Sequence, residues 1–188
     1  MTNPRTQGME SSRMALLVID VQDRLAPRVV GAEDIERRCI ALIEGAKALQ
    51  IPVFLTEHCP EALGATLPSI RGLVAAPAIF AKRHFSAMGE SALPAALKQS
   101  GRDQVLVAGM EAHVCVLQTV LGLLQADYRC WLAMDALGSR RQQDRQAAID
   151  RLRDAGATFA SAEMALFEWA KHADHPAFRT ILSLVKAY

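Results

Sequence analysis

Six short strand-like runs separated by stretches of helical spacing most limit what this chain can fold into. The first, Ala15-Leu16-Leu17-Val18-Ile19, meets no polar residue before Asp20. A strand covered on one face alternates apolar with polar residues, so unbroken apolarity marks a strand buried on both faces. Ile51 to Thr56, Ala78 to Ala81, the run from Val105 that stops at Gly109, Arg129 to Met134 and Ala157 to Ala160 supply the others. Between them, apolar residues recur at three- and four-residue steps: Ile35, Cys39, Leu42, Ile43, Ala46 and Leu49; then Val116, Leu117, Val120, Leu121 and Leu124; then Ala148, Ile149, Leu152 and Ala155, before Gly156. Ser91 to Gln99 is a further short helix, with Pro94 in its first turn and Gly101 at its end. Strands joined by helical crossovers form a parallel sheet with helices on both faces. The expected fold is therefore α/β: a three-layer α/β/α, doubly wound, mostly parallel six-stranded sheet of Rossmann-like type.

The chain has 188 residues, of which 51% are hydrophobic, enough for one core. A single domain is expected over residues 14–188, preceded by a flexible polar tail over 1–13. Lys and Arg total 21 against 20 Asp and Glu, a net charge of +1. That balance gives no footprint for a nucleic-acid backbone or an anionic membrane, and points to a small-molecule substrate. Met1 to Arg13 has no apolar block of signal-peptide type, and no later run nears the ~20 residues of a membrane span, so a cytoplasmic location is expected. Cys39, Cys59, Cys115 and Cys130 form no CxxC pair and read as free thiols. Residues 57–78 carry three prolines and two glycines without a period, which reads as a long loop near the site. Ser139 is a candidate cap for the helix that follows it. A short helix is expected around 162–170, and a last one from Pro176. The stripe Phe178, Ile181, Leu182 and Val185 on the last helix packs on its own domain or on another subunit.

In such folds ligands sit beyond the carboxyl ends of the strands. Asp20 follows the first strand, Lys82 the third and Cys115 the fourth. Taken singly, each has an ordinary alternative: a loop carboxylate, a solvated lysine, a small core residue. A cysteine in a helix's first turn, beside unpaired N–H groups and the positive end of the macrodipole, is favoured as a thiolate. No G-x-G-x-x-G follows the first strand, so no dinucleotide cofactor is expected. Arg140, Arg141, Arg145, Arg151 and Arg153 are interleaved with Asp144, Asp150 and Asp154, the pattern of a solvated helix face.

With Val18-Ile19-Asp20-Val21-Gln22, Lys82 followed by Phe85-Ser86-Ala87, Gly109-Met110-Glu111-Ala112-His113-Val114-Cys115-Val116, and Asp135-Ala136, the chain resembles the isochorismatase-like cysteine hydrolases. Thr56-Glu57-His58, Ala155-Gly156-Ala157 and His175-Pro176-Ala177-Phe178 look most like the isochorismatase-domain branch of undefined substrate. The resemblance implies a catalytic Asp20, Lys82 and Cys115, with Cys115 as nucleophile. It also implies a non-proline cis peptide between Met110 and Glu111, and an oxyanion hole from the backbone N–H groups of Glu111 and Cys115. Gln22, Glu57, His58 and Phe85 are candidate pocket residues. Metal-dependent relatives place two histidines and an aspartate where this chain has Thr56-Glu57-His58, with His84 further on, so neither metal nor cofactor is expected. His113 either orients its turn or merely starts the helix; the second is favoured. The implied reaction is hydrolysis of a small amide, imide or related C–N bond through an acyl-enzyme on Cys115. The alternatives are vinyl-ether hydrolysis of the isochorismatase type, and a non-catalytic binding module whose thiol senses oxidation. A homo-oligomer, dimer or larger, is implied as well.

Overall fold

The computed structural model describes residues 8–187. Its strands are β1 (Met14–Ile19), β2 (Val53–His58), β3 (Ile79–Lys82), β4 (Gln104–Met110), β5 (Arg129–Gly138) and β6 (Thr158–Ala160). They form one sheet in the order β3-β2-β1-β4-β5-β6, every neighbouring pair parallel. The order reverses between β1 and β4, and in an open parallel sheet the crevice opens there. Of the helices, α1 (Ala32–Ala48) leads into β2, α4 (Ala92–Ser100) into β4, α5 (Leu117–Gln125) into β5 and α6 (Gln142–Asp154) into β6; α7 (Ala162–Ala170) and α8 (Phe178–Val185) end the chain.

The unbroken apolarity of β1 has a direct use. Leu16 and Val18 join a core under α1, α7 and α8, while Ala15, Leu17 and Ile19 join a second core under α4, α5 and α6. All six residues of β1 are buried. In β4, Gly109 has φ +113°, and a Cβ there would lie 2.1 Å from the carbonyl oxygen of Ile19. Only glycine allows β1 and β4 to approach so closely beside the crevice.

Four local expectations differ from the structure. Residues 57–78 are not one loop: Pro60 and Pro68 open two single-turn helices, α2 (Pro60–Leu63) and α3 (Pro68–Arg71), too short to show a period. The fifth strand runs through Asp135 to Gly138, because that half-buried carboxylate is satisfied where it stands, pairing with Arg38 at 2.9 Å and accepting the Ala162 N–H at 2.8 Å. Ser139 does not cap α6, which begins after an extended Arg141. Part of the expected tail, 1–7, lies outside the described residues. Over 8–13 the chain is fastened: Met9 is buried with its N–H on Glu168, and the Glu10 N–H reaches Gln104. The stripe of α8 packs on its own chain, with Ile181 fully buried beside α1 and Phe167 against Phe178.

Candidate active site

Three strand ends converge at the crevice. Asp20, directly after β1, takes φ +50°, a left-handed conformation that aspartate tolerates better than most residues. Its carboxylate is fully buried: Oδ1 accepts the Thr56 hydroxyl at 2.7 Å, and Oδ2 faces Lys82 Nζ at 2.7 Å. Lys82 ends β3, beside His58 in the sheet register, and also donates to the carbonyls of Phe85 at 3.2 Å and His84 at 3.4 Å. A buried ion pair survives desolvation only with such extra partners.

Cys115 stands in a π turn, Ala112–Val116, that precedes α5, rather than in the first turn of an α-helix. The Glu111 carbonyl accepts from the N–H of Val114 and of Val116, passing over the N–H of Cys115. The peptide bond between Met110 and Glu111 is cis. His113, expected only to begin the helix, ties this turn to the end of β5 through Nδ1 and the Ser139 hydroxyl at 3.0 Å, with Asp144 3.9 Å from Nε2. The electrostatics also differ from expectation. Burial pushes the Cys115 thiol up to about 12, Asp20 adds to the rise, and Lys82 opposes it without prevailing. Desolvation disfavours the anion more than one neighbouring ammonium favours it. At rest the Cys115 side chain is therefore a thiol.

A cavity of about 340 Å³ opens above Asp20 and Cys115. Of the four candidate pocket residues, His58 and Phe85 line it, their rings 5.2 Å apart. Burial, and then Lys82, lower the pKa of His58, which favours the neutral ring. Gln22 and Glu57 do not line it. Gln22 is a fully buried clamp, donating to the carbonyls of Gly64 and His58 and accepting the His58 N–H. Glu57 points to the opposite face of β2 from His58, as strand alternation requires, and accepts the Thr66 N–H and Arg71. Glu57 and His58 thus diverge, and no three His, Cys, Asp or Glu side chains among the described residues cluster as metal ligands would.

Sequence reasoning missed Arg24, Arg28 and Arg140 on the cavity wall. The first two belong to a loop without periodicity, and Arg140 falls in a run whose alternating charges read as a solvated face. Arg140 instead pairs with the Glu111 carboxylate at 2.9 Å, and Arg145 donates to the carbonyls of Leu137 and Met134. A wider surface hollow, about 930 Å³, lies between Gly8–Glu10 and α7, where the Ser161 hydroxyl is occupied in capping the helix.

Residues 14–164 match the isochorismatase domain model. The chain belongs to the isochorismatase family. This isochorismatase-family hydrolase is 33% identical over 175 residues to mouse isochorismatase domain-containing protein 2A, covering 91% of this chain and 82% of that one. It is 34% identical over 179 residues to the secreted isochorismatase effector Isc1 of Phytophthora sojae, covering 92% and 84%. The structure of the MAR1 ribonuclease of Caenorhabditis elegans superposes with a TM-score of 0.88 at 31% identity, over 95% of this chain and 92% of that one. The Escherichia coli YcaC product, an octameric hydrolase of unknown specificity, shares the fold at a TM-score of 0.86 and 21% identity, over 98% of each chain.

Proposed function

We propose that this isochorismatase-family hydrolase cleaves a small-molecule amide, imide or related C–N bond through an acyl-enzyme on Cys115. The observation that carries the reading is the buried Lys82–Asp20 pair acting on a protonated thiol. As the sulfur attacks the carbonyl carbon, its proton passes to Asp20, and a C–S bond forms. Asp20 then hands that proton to the nitrogen as the C–N bond breaks, releasing amine or ammonia and leaving a thioester. Water gives a proton to Asp20 and attacks the thioester; the C–S bond breaks, the sulfur regains a proton, and a carboxylic acid leaves. Lys82 Nζ, 2.7 Å from Asp20 Oδ2, keeps that carboxylate in place for the transfer. The N–H groups of Glu111 and Cys115 receive the oxyanion, and one such donor is worth roughly 2.7–4 kcal/mol in comparable sites.

Ammonia release from a panel of small amides, ureas and imides tests the reading. Cys115→Ala is expected to lower turnover by at least about 10⁴-fold, with its melting curve preserved. Ammonia release that survives the substitution would falsify the acyl-enzyme, whereas no ammonia from any member of the panel together with cleavage of isochorismate would make vinyl-ether hydrolysis the better account. A second reading is favoured by one observation, the likeness to a protein named a ribonuclease. Against it stand the small cavity and a net charge of +1, which provide no track for a polynucleotide backbone. Cleavage of single-stranded RNA by the wild type and not by Cys115→Ala would decide for that reading. We also propose a homo-oligomer, on the strength of the octameric neighbour's fold; sedimentation velocity measures it.

A further inference from the structure

From the charge on the cavity wall we infer that Arg24 and Arg28 form a carboxylate subsite, so that the substrate is the monoamide of a short dicarboxylic acid. The inference rests on the amide-hydrolase reading for the other end of the same molecule. Both acids on the wall already face cations, Asp20 with Lys82 and Glu111 with Arg140. Neither neutralises the loop that follows β1. There, Arg24 spends one N–H on the uncharged Ala62 carbonyl at 2.9 Å, and the Arg28 side chain meets no hydrogen bond or ion pair among the described residues. Arg28 closes a 3₁₀ turn, Ala26–Arg28, in which Pro27 fixes the backbone, so it is presented from a stiff support.

The cavity therefore has two unlike ends. Its floor carries the thiol and the buried ion pair, while its mouth carries two uncompensated guanidinium groups, the side chain best suited to bidentate capture of a carboxylate. Leu25, Leu63 and Val114 line the space with apolar surface, which suits a short methylene spacer and nothing charged in the middle. A volume of about 340 Å³ lies at the small end of the range for small-molecule sites, about 300–1,000 Å³. A molecule with an amide at one end and a carboxylate at the other satisfies both ends at once.

Calorimetric titration of the Cys115→Ala protein with succinamate, glutaramate and the neutral succinamide tests this without depending on turnover. A monoanion is expected to bind at least about tenfold more tightly than the diamide. That preference is expected to collapse in Arg28→Gln, and in the Arg24→Gln/Arg28→Gln pair, with circular-dichroism melts confirming folded protein. Equal affinity for charged and neutral amides, a preference that survives the double substitution, or no binding of any of the three overturns the subsite. A monoanion that binds through these arginines yet is not hydrolysed by the wild type leaves the subsite standing and counts against the hydrolase reading alone.

Discussion

With burial pushing its thiol up to about 12, Cys115 is almost wholly protonated at pH 8. Alkylation by iodoacetamide should therefore accelerate about tenfold for each pH unit from 8 to 11, without levelling off; quenched peptide mapping at Cys115 measures it. A plateau below about pH 9 would mean that Lys82 outweighs burial. In the proposed reaction the proton leaves only as the C–S bond forms, so Cys115 needs Asp20 at hand rather than a low pKa of its own. Lys82 is best understood through what its removal exposes. Lys82→Met strands a fully buried carboxylate, and breaking such a pair from one side costs about 3–5 kcal/mol. Urea denaturation should show that loss, and Asp20→Asn/Lys82→Met should recover part of it. Asp20, Lys82 and Cys115 were legible as residue types at strand ends, reinforced by family resemblance. The state of the thiol was not, because desolvation depends on neighbours that spacing cannot supply.

The strands hold these groups in register, and Gly109 sets how closely two of them lie. Gly109→Ala forces a Cβ to 2.1 Å from a β1 carbonyl and should cost more than about 2 kcal/mol. Gly101→Ala, also at positive φ but with nothing within 4 Å, should cost only the left-handed backbone, about 1–2 kcal/mol; chemical denaturation of the pair separates sterics from conformation. Elements with a period were legible. The apolar runs became strands, and 162–170 became α7. Elements without one were not: α2 and α3 are single turns opened by prolines, and the Arg24–Arg28 segment looks like any polar loop until the fold bends it over the crevice. Ser139 illustrates a different limit. A serine ahead of a helix suggests a cap, yet its partner is His113, brought close only by the pairing of β4 with β5.

Across the whole molecule, three buried thiols share one titration. Burial raises Cys39, Cys115 and Cys130 alike to about 12, from 9.0 for a free thiol. A group whose folded pKa is raised contributes stability that is complete below its unfolded pKa and is lost as pH climbs to the folded one. The urea midpoint should therefore hold steady below about pH 9 and decline from there towards 12, and Cys39→Ala should make that decline shallower. The sheet order has a further consequence, one that concerns the order of synthesis. β1 lies between β2 and β4, yet its partner on one side, Gly109 against Ile19, emerges from the ribosome roughly 90 residues later. Until then β2 and β3 can cover one edge of β1, while its other edge, six apolar residues long, stands open to any passing strand. The half of the crevice that holds Asp20 and Lys82 is thus built on an unfinished edge, and nascent chains stalled before residue 104 should be the ones that aggregate or recruit chaperones.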